Sequence, residues 1–129
     1  MNDLQLCNDL SAIEDDIAYY SHSTQRSLWE LGRRFKHVKE NDLAHGKFMD
    51  WYIKLGFEKN FVSDAIKVAT EYTNFPTLGN FKSTTALRLA VHIPAEEREK
   101  EHTLSSGETK TVDDMTIREI KELKQKINQ

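Results

Sequence analysis

Apolar residues recur along the first third of this chain at spacings of three and four. Ile13, Ile17, Tyr20, Thr24, Leu28, Leu31, Phe35 and Val38 follow one another in that rhythm, which is the period of one helix face. Ser11-Ala-Ile-Glu14 precedes them as a capping-box pattern. The stretch predicts one helix over about 10–39, or two helices divided near Ser21–Ser23, with Gly32 a weak point rather than a stop. A polar connection over 40–46 ends in Gly46. Phe48, Trp51, Tyr52 and Leu55 predict a short helix over 47–55 closed by Gly56. Phe57, Phe61, Val62, Ala65, Ile66, Val68 and Ala69 predict another over 57–72, and residues 74–79 break the pattern. A further helix over about 82–92 opens at Ser83 or Thr84, and Pro94 suits the first turn of a short helix through Glu101. Residues 102–113 have no hydrophobic period and contain Ser105-Ser106-Gly107, which predicts a mobile loop. Thr116-Ile-Arg-Glu119 is a second capping box, inside a helix over 114–127 with Met115, Ile120, Leu123 and Ile127 on its apolar side.

No strand pattern emerges, so the expected fold class is all-α. The expected organisation is a compact multi-helix domain over 1–101, containing a long N-terminal helix and a helix-turn-helix at about 47–72. A loop over 102–113 and a C-terminal helix over 114–129 follow. At 129 residues the chain buries a core without disulfide or metal staples. The lone Cys7 forms no intrachain disulfide, fits a reducing compartment and reads as an inert thiol. The first residues are acidic where a secretory signal is basic and then apolar, and charges interrupt every apolar run. A soluble, cytoplasmic protein with no membrane contact is the expectation.

The formal net charge is −3, and charged residues make up 30% of the chain. That balance lacks the basic excess of a typical nucleic-acid binder. The charge is uneven, however. Asp3, Asp9, Glu14, Asp15 and Asp16 stand without Lys or Arg in residues 1–16, whereas Arg26, Arg33, Arg34, Lys36 and Lys39 face only Glu30 in residues 26–39. On a helix, Arg26, Arg33 and His37 share one side, with Arg34 and Lys36 flanking it. This side is either a phosphate-contacting edge or a solvated face paired with Glu30 at the i+3 and i+4 distances.

The segment Phe48–Lys67 carries the most functional information. Two helices meet at Leu55-Gly56-Phe57, and Trp51, Leu55, Phe57, Val62 and Ala65 fall where a helix-turn-helix buries apolar side chains. Tyr52 departs from the pattern, because a small residue usually stands there. In a DNA reader the second helix enters the major groove and presents Glu58, Lys59, Asn60, Ser63, Asp64 and Lys67. Asn60 suits a bidentate contact to adenine, and Lys59 or Lys67 suits guanine or phosphate. Glu58 and Asp64 weaken the general attraction to phosphates. The bland reading is a pair of core helices joined by a glycine C-cap. The DNA-binding residues expected on this reading are Lys59, Asn60, Ser63, Lys67, Arg26, Arg33 and Arg34.

Catalysis has no visible seat: neither a phosphate-binding glycine loop nor a nucleophile elbow occurs. His22, His37, His45, His92 and His102 are scattered without zinc-ligand spacing, so neither metal nor cofactor is expected. Asp15-Asp16 and Asp113-Asp114 lie near helix starts, where the helix dipole favours negative charge.

The residues Leu31-Gly-Arg-Arg-Phe35, His45-Gly-Lys-Phe48, Trp51, Leu55-Gly-Phe57 and Ile66-Lys-Val-Ala69 resemble a family of helical helix-turn-helix domains of unknown function borne by phages and plasmids. Ala86-Leu-Arg-Leu89 and Ile93-Pro-Ala-Glu-Glu-Arg98 resemble the helices after the motif in ParB- and KorB-like partition proteins, and Asp114-Met-Thr-Ile-Arg-Glu119 also has a counterpart in the phage group. The likeness spans about residues 25–127. It implies a DNA-binding protein of a mobile element acting in transcription regulation, replication or partition, without enzymatic activity. Two expectations follow. One is a homodimer on double-stranded DNA, paired through the long first helix or the C-terminal helix. The other is a protein-interaction module that binds a repressor or host replication protein, docking its C-terminal helix into a partner groove.

Overall fold

The computed structural model describes residues 5–20, 24–72, 78 and 80–128. They form α1 (Leu10–Tyr19), α2 (Gln25–Glu40), α3 (Phe48–Lys54), α4 (Lys59–Glu71), α5 (Thr84–Ala90), α6 (Ala95–Arg98) and α7 (Ile117–Ile127). A two-stranded antiparallel hairpin, β1 (His102–Thr103) and β2 (Thr109–Lys110), lies between α6 and α7. The all-α class holds, with this small hairpin as its only strand pairing among the described residues.

The N-terminal periodicity belongs to two helices. α1 starts at Leu10, and its N-cap is Asp9, which accepts from the Ser11 backbone N–H, so the cap lies two residues before the Ser11 of the expected capping box. α2 restarts at the Thr24 cap, whose side chain accepts from the Ser27 N–H. The suggested break at Ser21–Ser23 falls on residues outside the described set.

Gly32 is no weak point. It sits where α2 crosses α4, and a Cβ placed there would lie 1.9 Å from the Ala65 carbonyl oxygen. The missing side chain is what lets the two backbones touch, and α2 against α4 is the main helix pairing of the molecule. Below the crossing, Phe35 of α2 is fully buried, with edge contacts to Trp51, Phe57 and Phe61 at 6.3, 5.1 and 6.5 Å between ring centres. α1 is fastened to this body by polar links. Trp51 Nε1 donates to Glu14 at 2.7 Å, and Arg34 Nε donates to Asp16 at 3.1 Å.

The second half closes the other side. Ser83 caps α5 as anticipated, accepting from the Ala86 N–H. Pro94 stands at the N-cap of the one-turn α6 rather than inside its first turn. The anticipated loop over 102–113 is instead the hairpin followed by a 3-10 turn at Val112–Asp114. Gly107 turns it at φ +91°, and Leu104 and Val112 anchor it in the core. The second capping box forms in full: Thr116 accepts from the Glu119 N–H while Glu119 accepts from the Thr116 N–H. α7 buries Ile120 and Leu123 and packs on α5. Its apolar stripe and that of α2 are therefore used inside the molecule, which removes the support that periodicity gave to pairing through either helix. No helix among the described residues is long and apolar enough to cross a membrane.

Candidate nucleic-acid interface

The turn between α3 and α4 shows why this sequence bends here. Leu55 ends α3 in the right-handed helical region and Gly56 follows at φ +97°. The Gly56 N–H donates to Ile53 O at 2.9 Å and the Phe57 N–H donates to Tyr52 O at 3.1 Å. That pair of bonds is a Schellman cap, which satisfies the last carbonyls of α3 and redirects the chain. Glu58 then stands in extended geometry at the start of α4, without a side-chain capping bond.

The burial pattern follows the helix-turn-helix arrangement. Trp51, Val62 and Ala65 are buried, and Leu55 and Phe57 are half-buried against the core. Tyr52, the departure from the pattern, is buried edge-on to Phe48 at 5.2 Å. Its bulk is absorbed because α2, through Gly32, makes the principal contact with α4. Glu58, Lys59, Asn60 and Ser63 are exposed, and Lys67 is half-buried. Lys59, Ser63 and Lys67 lie at i, i+4 and i+8 and so form one stripe on α4.

Asp64 is not an unshielded acid. Arg88 Nε of α5 donates to its Oδ2 at 2.8 Å and His92 Nε2 donates to its Oδ1 at 2.7 Å. The Arg88 guanidinium also lies 5.3 Å over the Phe61 ring. Asn60, Ser63, Asp64, Thr85, Arg88 and His92 thus line a groove of about 380 Å³ between α4 and α5. Sequence reasoning missed Arg88 and His92. Their spacing of four suits one side of the helix predicted over 82–92, although His92 lies in the turn just after α5, and nothing in the sequence says that this side meets Asp64.

The basic side of α2 is not assembled as anticipated. Arg34 is buried, donating to Glu30 Oε1 at 2.8 Å and to Asp16, and it lies 5.0 Å from the Tyr20 ring. Burial works against its charge, but the hydrogen bonds to Glu30 and Asp16 and the charge of Glu30 outweigh that and raise its pKa above the ordinary value. Arg33 has a side chain only 11% exposed and donates to the same Glu30 oxygen at 2.6 Å, 5.1 Å over Trp29. His37 Nε2 lies 2.9 Å from Cys7 O and 2.8 Å from Asn8 Oδ1, holding the N-terminal segment. Arg33 and Arg34 are therefore internal ties rather than a phosphate-contacting edge, while Arg26 is exposed near the start of α2. The structure gathers Asn60 and Ser63 with Arg88 and His92, keeps Lys59 and Lys67 on the same helix, buries Arg34 and ties the half-buried Arg33 to Glu30.

The fold and this surface define a class: an all-α domain in which two helices joined by a glycine turn pack beside α2. No protein-family model, curated protein or solved structure matches the chain.

Proposed function

We propose that this chain is a helix-turn-helix protein that binds double-stranded DNA through the outward face of α4, in a regulatory, replicative or partition role of a mobile element. The observation that supports it most is the division of labour along 51–67. The apolar positions face α2 and the core, while Lys59, Asn60 and Ser63 face outward just after a glycine turn. Asp64 is engaged by hydrogen bonds from Arg88 and His92 on the α5 side of the groove, so one of the two acids that argued against this reading does not stand unshielded. Two copies reading two half-sites, as such modules commonly do, belong to the same proposal.

Anisotropy of labelled duplexes from the source genome, at low and near-physiological salt, tests it. Saturable binding that falls with salt, and falls further in Lys59→Ala/Lys67→Ala, is the expected result. No binding to any duplex at low salt overturns it.

A second reading has its own observation. Met49 and Ile53, 53% and 56% exposed, lie on the outer side of α3. A groove of about 600 Å³ lined by Leu10, Leu43, Ala44 and Trp51 adjoins Ile53. Asp42 and His45, at φ 50° and 53°, shape the loop that forms its wall. A protein partner docked there is the alternative function, and its binding barely responds to salt.

A further inference from the structure

The groove between α4 and α5 has features that a helix-turn-helix module does not require. Arg88 is held from two sides, by Asp64 at its Nε and by the Phe61 ring beneath it. Those contacts fix the plane of the guanidinium and use one of its N–H donors. Its Nη donors have no protein acceptor among the described residues, and the side chain is 33% exposed. Asn60 and Ser63 on one wall and Thr85 on the other add an amide and two hydroxyls. The carboxylate at the bottom has both oxygens engaged and a side chain only 14% exposed. A preset, partly desolvated arginine fork with neutral donors around it matches the shape and charge of a phosphate diester.

We propose that this groove is an anion subsite that takes one backbone phosphate of the bound duplex. Arg88 is its phosphate ligand, and Asp64 is the positioning residue that aims Arg88. The assignment rests on the duplex-binding reading above and deepens it. α4 faces the bases, and α5 supplies the backbone contact that fixes the register of α4. It also supplies a cation in place of Arg33 and Arg34, which are engaged with Glu30.

The test measures duplex affinity against salt for wild type, Arg88→Gln, Arg88→Lys and Asp64→Asn, each checked for native helicity. Arg88→Gln should weaken binding roughly tenfold at low salt and lower the slope of log affinity against log salt by about one. Arg88→Lys should restore the slope but not the full affinity, because a point charge replaces the fork. Asp64→Asn should weaken binding while leaving the slope nearly unchanged. In wild type, the Arg88 side-chain N–H resonances should shift on adding duplex, a readout that needs no variant to fold. Tight wild-type binding with an unaltered slope in Arg88→Gln and unmoved Arg88 resonances overturns the subsite and leaves the duplex reading standing. Absence of wild-type binding overturns both.

Discussion

An alanine at position 32 would put its Cβ 1.9 Å from the Ala65 carbonyl oxygen and 2.6 Å from its carbon. Helix propensity alone favours Gly32→Ala by about 0.5–1 kcal/mol, since glycine is costly in a helix interior. Packing reverses the sign, because backbone atoms cannot rotate away as a flexible side chain can. Gly32→Ala is expected to destabilise the protein by about 2–3 kcal/mol in urea denaturation, the usual scale of overpacking. Gly56→Ala has no atom within 4 Å of the new Cβ and should cost only the left-handed backbone, about 1–2 kcal/mol. A stabilised Gly32→Ala would contradict the crossing of α2 on α4. The arginines teach a related lesson at this scale. Their spacing from Glu30 made the pairing legible in sequence, but spacing does not tell whether such a network faces water or the core.

Among the elements, α7 was the most legible. Thr116 and Glu119 stand at the cap and N3 positions, so the motif and the structure it forms are one local object. Glu119 also receives Lys110 Nζ from β2 at 3.1 Å. The Thr116 backbone N–H, then Lys110, hold its pKa below the ordinary carboxylate value. A depressed carboxylate contributes stability that is complete above its unfolded pKa and lost as pH falls through the folded one. Wild type should therefore lose thermal stability on acidification below about pH 4.5 more steeply than Glu119→Gln, which keeps a capping acceptor but does not titrate. Identical melting profiles from pH 7 to 3 would rule the contribution out. The hairpin before α7 was illegible because strands of two residues are too short to show alternation. Leu104 and Val112, its core anchors, look in sequence like stray apolar residues.

Across the described residues, buried side chains from every helix except α6 belong to one hydrophobic cluster. Trp29 and Trp51 report on separate parts of it. Trp29 donates to Tyr72 O at 2.8 Å at the end of α4, and Trp51 to Glu14 of α1. Urea unfolding followed by tryptophan fluorescence and by far-UV circular dichroism should give coincident transitions. Separate midpoints would show that α1 or the C-terminal half is an independent unit.

Whatever depends on neighbours a few residues apart is legible in the chain alone. The three- and four-residue periods set the helices, Gly56 set the turn, Ser83 and Thr116 set caps, and the apolar positions flanking Gly56 set which side of α3 and α4 is buried. The tertiary structure alone decided what depends on residues brought together from far along the chain. It turned Arg34 inward against Asp16 of α1 and the Tyr20 ring, tied Arg33 to Glu30 over the Trp29 ring, and made Gly32 a contact rather than a flaw. It also set Arg88 and His92 against Asp64, 24 and 28 residues away, and so built the groove beside α4. Periodicity shows which side of a helix is apolar, but only the docking of one helix on another settles what its polar side meets.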